Sequence, residues 1–94
     1  MEDNTAVLKI SIISDSDQAI AYHLEGRLVG AWVDELRRIG DQAFAHKKML
    51  TLDLEGLRFA DHQGIALLQE LSRRQVPQLN CSQFLMQQMK ELTR

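Results

Sequence analysis

The feature that most constrains the fold of this 94-residue chain is a repeated change in the spacing of its apolar residues. Three segments alternate apolar with polar residues, the period of a half-buried strand; they are Ala6–Ser14, Ala19–Leu24 and Met49–Leu54. Three others space apolar residues by three and four, which predicts amphipathic helices; they run from Ala31 to Ala45, from Asp61 to about Arg74 and from Ser82 to Leu92. Val76–Cys81 contains the single proline and is predicted as a short edge strand. The predicted order is β-β-α-β-α-β-α.

This order predicts an α/β fold with a mixed, mostly parallel four-strand sheet and helices packed on it. The short link between the first two strands predicts an antiparallel hairpin. Residues 1–94 are expected to form a single domain, because domains are typically on the order of 100 residues. Gly56 is expected to end the third strand.

Two sets of apolar residues are predicted to face the core from helices. In the first helix the predicted buried stripe consists of Trp32, Leu36, Ile39 and Ala43. In the last helix the predicted stripe consists of Leu85, Met89 and Leu92, with Met86 beside them. The spacing of the two methionines is more typical of core residues than of a binding surface.

The chain has 11 Lys and Arg against 13 Asp and Glu, and this balance argues against a dedicated nucleic-acid binder. It also makes an anionic membrane surface an unexpected partner. No apolar run approaches the ~20 residues of a membrane span. The opening Met-Glu-Asp-Asn-Thr is acidic, which is the wrong sign for a signal peptide. The only cysteine, Cys81, has no intrachain partner, so a reducing compartment is expected, and the chain is predicted to be cytoplasmic.

Reactive groups do not converge in the sequence. His23, His46 and His62 lie far apart and without metal-ligand spacing, and neither common glycine-rich phosphate loop is present. Asp15 and Asp17 suit a turn better than a metal pair. The sequence therefore predicts a protein that is not an enzyme and that holds neither a cofactor nor a metal.

One segment, Leu52–Leu68, carries a more specific pattern, in which a buried strand leads through a loop into a helix. Asp61 is placed to cap that helix by accepting backbone N–H groups. Gly64 follows in the first turn, where glycine costs about 1 kcal/mol relative to alanine, so another backbone is expected to pass close by, either within the fold or from a partner. His62 would stand at the exposed, electropositive helix start, a position suited to recognition or modification.

This segment resembles the signature of the STAS domain, the fold of bacterial anti-sigma-factor antagonists. The residues that match it are Asp53, Leu54, Gly56, Phe59, Asp61, Gly64 and Ile65. Upstream, Leu24-Glu25-Gly26-Arg27-Leu28 is similar to the family's motif at the end of the second strand, and Ser82–Leu92 resembles its last amphipathic helix. The resemblance covers nearly the whole chain and implies a STAS-like fold.

The chain departs from the family at the position that phosphorylatable members use as a switch. In those members the residue after the aspartate is a serine that a partner kinase modifies, whereas this chain has His62 followed by Gln63. Neither side chain carries a hydroxyl, so the resemblance implies that the usual phosphoacceptor is missing. Such a protein would bind constitutively or be controlled through its partner, and a regulatory role of His62 itself stays open.

The resemblance implies a non-enzymatic protein-interaction domain that docks through Phe59–Leu68. The residues predicted to bind the partner are Arg58, Asp61, His62, Gln63, Gly64 and Ile65. The implied partner is a cytosolic anti-sigma factor with a kinase-like ATPase fold, or another STAS-binding regulator. The chain itself is expected to be a monomer or a weak dimer.

Two alternatives remain at this point. The chain is equally consistent with the small STAS-type scaffold subunit of an ABC complex that transports lipid, where the partner would be an ATPase subunit. Some STAS domains bind nucleotides, which makes a nucleotide-binding module the third possibility, although no phosphate loop supports it.

Overall fold

The computed structural model describes residues 7–92, with side chains described as far as Lys90. Ala6, the predicted start of the first strand, and the side chain of Leu92 lie outside this description. The elements are β1 (Leu8–Asp15), β2 (Ala19–Leu28), α1 (Ala31–Ala45), β3 (Met49–Ala60), α2 (His62–Arg73), β4 (Gln78–Leu79) and α3 (Gln83–Leu92). Their order confirms the predicted β-β-α-β-α-β-α arrangement. Within residues 7–92, no helix is long and apolar enough to cross a membrane.

The four strands form one sheet in the order β1-β2-β3-β4. The β1–β2 pair is antiparallel, and the β2–β3 and β3–β4 pairs are parallel, so the sheet is mixed as predicted. Both parallel connections contain a helix, and such crossovers are right-handed. Because the strand order runs in one direction, α1 and α2 lie side by side on the same face, and α3 packs against α2 and β3.

The opposite face of the sheet, called here the open face, is formed by alternate strand residues. Lys9, Ser11, His23, Thr51 and Asp53 lie on it, in register across β1, β2 and β3 as the pairs Ser11–His23 and His23–Asp53 show. These side chains are exposed or half-buried, whereas the alternate residues on the helical side form the core. Polar and charged groups on the open face are therefore in contact with water and with one another.

The buried face of α1 differs from the predicted stripe. Val33 and Gly40 are buried together with Leu36 and Ala43, whereas Trp32 and Ile39 are only half-buried. The physical reason is that α1 packs against α2 as well as against the sheet, which turns its buried stripe toward Val33 and Gly40. A Cβ atom at Gly40 would stand 3.7 Å from a Leu71 methyl and 3.8 Å from a Leu50 methyl.

The prediction that Gly56 ends the third strand is wrong, since β3 continues to Ala60. The register with β2 shifts between His23 and Glu25 and again between Gly26 and Arg27, and each shift leaves one extra residue in β3. These two bulges change the alternation, so that the buried residues beyond Leu52 are Leu54, Leu57 and Ala60. A simple period of two cannot follow a strand across such bulges.

Helices α1 and α2 both end in a Schellman motif whose left-handed residue is not glycine. At the end of α2, Gln75 has a φ of 67°, and its N–H donates to the carbonyl of Ser72 at 2.9 Å. The next N–H, of Val76, donates to the carbonyl of Leu71 at 3.0 Å, which completes the motif. Lys47, with a φ of 59°, ends α1 in the same way.

Candidate interaction surface at the start of α2

Asp61 holds the loops before α1 and α2 together. Its Oδ1 accepts the backbone N–H of Gly64 at 2.8 Å, which confirms the predicted N-cap. Its Oδ2 accepts the N–H of Gly30, just before α1, at 3.0 Å, and its own N–H donates to the carbonyl of Leu28 at 3.1 Å. Both loops follow the carboxyl ends of parallel strands, the edge at which α/β sheets commonly bind other molecules.

The close backbone approach predicted at Gly64 is present in the structure, and the approaching backbone, at Leu28, belongs to the same domain. A Cβ atom at this position would lie 2.5 Å from the carbonyl oxygen of Leu28 and 3.2 Å from the Cβ of Ala60. Gly64 and Ile65 are both buried, and only 1% of Ile65 is exposed. These two of the six predicted partner-binding residues therefore support the surface from below and do not form it.

The remaining predicted residues reach solvent in two different places. His62 and Gln63 are exposed on the first turn of α2, and Asp61 is half-buried beside them. Arg58 is exposed in the second bulge of β3, where it lines a hollow of about 410 Å³ together with Lys9, Glu55 and others. Arg58 thus lies near the open face and does not form a cluster with His62.

Phe59 adds an apolar side chain, 37% exposed, at the end of β3. We call the set formed by Phe59, Asp61, His62 and Gln63 the α2-start surface. The first turn of α2 contains no acidic residue, so the partial positive charge of the helix N-terminus is offset only by its cap, Asp61.

Two further surfaces carry exposed apolar side chains. Met89 is half-buried against the core, but Met86 is 46% exposed and Phe84 57% exposed on α3, so the expectation that Met86 is a core residue is wrong. Ile12 of β1 is 59% exposed, because β1 is the edge strand and α1 packs on β2 and β3. It lines a groove of about 490 Å³ with Trp32 and other apolar residues.

Cys81 is half-buried and packs against the core. Burial raises the pKa of its thiol, which keeps the thiol protonated and weakly nucleophilic.

Comparison with protein-family models and with curated protein sequences gives no match. Among solved structures, the unphosphorylated form of the anti-sigma factor antagonist SpoIIAA is similar, with a TM-score of 0.70 over 87% of this chain and 82% of that chain. The two sequences are 19% identical. At that identity the likeness shows the fold. The chain has the STAS fold, which confirms the predicted architecture.

Proposed function

We propose that this protein is a STAS-type regulatory domain that acts by binding a protein partner at the α2-start surface and that has no catalytic activity. The observation that carries the proposal is the fold shared with the anti-sigma factor antagonist SpoIIAA. The structure of the α2 start supports it, because Asp61 and Gly64 hold this loop rigidly while His62 and Gln63 remain exposed.

A rigid surface suits binding because little conformational freedom is lost when the partner docks. Asp61 uses both carboxylate oxygens to fix the loops before α1 and α2, and the backbone of Gly64 lies against Leu28. His62 and Gln63 then offer polar groups beside the apolar ring of Phe59. Arg58 would contact only a partner broad enough to reach around the edge of the sheet.

The proposed partner is a cytoplasmic anti-sigma factor with a kinase-like ATPase fold. In STAS proteins that use a serine after the capping aspartate, a phosphate at that serine adds about −1.5 to −2 charge and prevents docking. With His62 in this place, binding is constitutive or is controlled through the partner.

The proposal is tested by measuring the affinity of the purified partner for two matched variants. Gln63→Glu places a carboxylate on the α2-start surface, and Gln42→Glu makes the same change at an exposed position of α1. We expect Gln63→Glu to weaken binding at least tenfold and Gln42→Glu to leave it unchanged. A carboxylate in the first turn favours the helix dipole, so weaker binding would not reflect unfolding. Equal affinities of Gln63→Glu and the unchanged protein would rule this surface out.

A second candidate function is that of a permanent scaffold subunit on the ATPase of an ABC complex that transports lipid. The exposed Phe84 and Met86 on α3 favour it, because obligate interfaces are more apolar than transient ones. His62→Ser separates the two functions. With a kinase-type partner and ATP, we expect His62→Ser, but not the unchanged chain, to gain one phosphate by intact mass spectrometry. With a scaffold partner, His62→Ser gains none, and Phe84→Ser weakens the complex.

A further inference from the structure

Four ionisable side chains converge on the open face where β2 passes the first bulge of β3. His23 lies directly opposite Asp53 in the parallel register, Glu25 follows on β2, and Glu55 stands in the bulge. The side chain of His23 is 22% exposed, and that of Glu55 is 73% exposed. In the sequence these residues form two pairs, His23 with Glu25 and Asp53 with Glu55, about 30 positions apart, and pairing of β2 with β3 makes the two pairs neighbours.

The separations within this cluster suit ligands of one ion better than partners of one hydrogen bond. His23 Nε2 lies 3.5 Å from Glu55 Oε1, which is longer than a good N–H···O bond. Two ligands of a tetrahedral zinc ion, each about 2.0–2.1 Å from the metal, stand about 3.4 Å apart. One ligand atom from each of His23, Asp53 and Glu55 lies within 4.8 Å of the others. Each of these separations therefore exceeds the tetrahedral value by at most about 1.4 Å, a difference that small rotations of the three side chains can close.

The remaining neighbours hold two of these ligands in orientations suited to a metal. His23 Nδ1 faces Glu25 Oε2 at 3.4 Å, which is also longer than a good hydrogen bond, but Glu25 lies on the side where metal-binding histidines commonly have a carboxylate partner. Asp53 Oδ1 accepts hydrogen bonds from Asn80 Nδ2 and from the N–H of Glu55, both at 3.0 Å, which leaves Oδ2 to bind an ion.

The nearby cations limit the strength of such a site without blocking it. Lys9 lies opposite Glu25 in the β1–β2 register, and Lys9 and Arg58 line the adjoining hollow with Glu25 and Glu55. They compete with a metal for the two glutamates, but the structure shows no ion pair between Asp53 and either cation within residues 7–92. We therefore expect the cluster to bind a metal ion with moderate affinity.

We propose that His23 Nε2, Asp53 Oδ2 and Glu55 Oε1 form a binding site for a divalent transition metal, with Zn²⁺ preferred over Mg²⁺. Imidazole ligands suit zinc, whereas magnesium prefers sites made of oxygen alone. Water completes the coordination, and Glu25 and Asn80 orient the ligands. The ion would fasten β2 to β3 at the bulge and so stabilise the folded chain.

The test is calorimetric titration of the metal-free protein with ZnCl₂ and, separately, with MgCl₂. Cys81→Ser serves as the parent so that the thiol binds no zinc. We expect one saturable Zn²⁺ site per chain, at least tenfold weaker Mg²⁺ binding, and a higher Tm in the presence of zinc. Glu55→Gln, at a position too exposed to matter for folding, should weaken Zn²⁺ binding at least tenfold. Glu25→Gln should weaken it about 10-fold to 100-fold, as is typical of a residue that orients a ligand.

His23→Gln should abolish saturable binding, and its Tm in chelator shows whether the variant folds. His62→Gln is the matched control, since it removes another histidine, exposed on α2, and should bind zinc like the parent. Absence of saturable binding, unchanged binding in Glu55→Gln, loss of binding in His62→Gln, or Mg²⁺ binding as tight as Zn²⁺ would each overturn the proposal. None of these outcomes depends on the proposed protein partner.

Discussion

At the scale of the residue, two helical glycines differ in whether the fold requires them. Gly64 is indispensable to the start of α2, because a Cβ atom there would lie 2.5 Å from the carbonyl oxygen of Leu28, a backbone atom that cannot move aside cheaply. Gly40 in α1 has room for a Cβ atom, whose nearest neighbours would be methyl groups at 3.7 and 3.8 Å. The environment, and not the residue, decides which glycine the fold requires.

Alanine at these two positions should therefore change stability in opposite directions. Gly64→Ala forces the start of α2 away from β2, and we expect it to lower the free energy of unfolding by about 1–3 kcal/mol. Gly40→Ala removes the poor helix propensity of glycine and should raise that free energy by up to about 1 kcal/mol. Urea denaturation followed by circular dichroism measures both. A Gly64→Ala variant as stable as the unchanged protein would contradict the close approach of the Leu28 carbonyl to α2.

At the scale of the element, the helix ends combine favourable hydrogen bonds with an unfavourable backbone conformation. Gln75 and Lys47 adopt the left-handed conformation that the Schellman motif requires, at φ values of 67° and 59°. A residue with a Cβ pays about 1–2 kcal/mol there, which glycine avoids. The sequence gives no glycine signal at either helix end, so these motifs are recognised only in the structure.

Glycine at the end of α2 should consequently stabilise the protein. We expect Gln75→Gly to raise the free energy of unfolding by about 0.5–1 kcal/mol, after the entropy that glycine adds to the unfolded chain is subtracted. Thermal denaturation checks this change. Gln75→Ala keeps the Cβ and serves as the control, and an equal gain from both substitutions would show that backbone strain at this residue is not the cause.

At the scale of the whole molecule, the one-directional strand order places the helices on one face and leaves a polar face on the other side of the sheet. On this open face the Asp53 carboxylate of β3 accepts a hydrogen bond from the side chain of Asn80, next to β4. The depressed pKa of Asp53 links this contact to the pH dependence of folding.

The pH dependence has a definite sign. Because the pKa of Asp53 is lowered in the folded state, its contribution is present above the unfolded value of about 3.9 and is lost as the pH falls through the folded pKa. We expect Asp53→Asn to be less stable than the unchanged protein at pH 7, with a difference that shrinks below about pH 4. Denaturation from pH 2 to 7 in chelator measures it. Asp17→Asn, at an exposed turn position, should leave the profile unchanged, and a constant deficit of Asp53→Asn at every pH would contradict the prediction.

The parts of the interaction surface that sequence reasoning found are those encoded within a few residues. Asp61 and Gly64 are three positions apart, and a cap with a glycine in the first turn is a local pattern. The second bond of Asp61, to the N–H of Gly30, joins residues 31 positions apart and has no local signature. The depth of Ile65 below the surface is likewise a property of packing and not of spacing.

By itself, the sequence determined the number, type and order of the elements and the cap of α2, because hydrophobic period and capping are set by neighbouring residues. Only the tertiary structure decided which face of α1 is buried, that β3 runs through two bulges to Ala60, and that His23 stands against Asp53 and Glu55. These features depend on the register between strands and on how closely backbones pack. Both are fixed by contacts between residues that are distant along the chain.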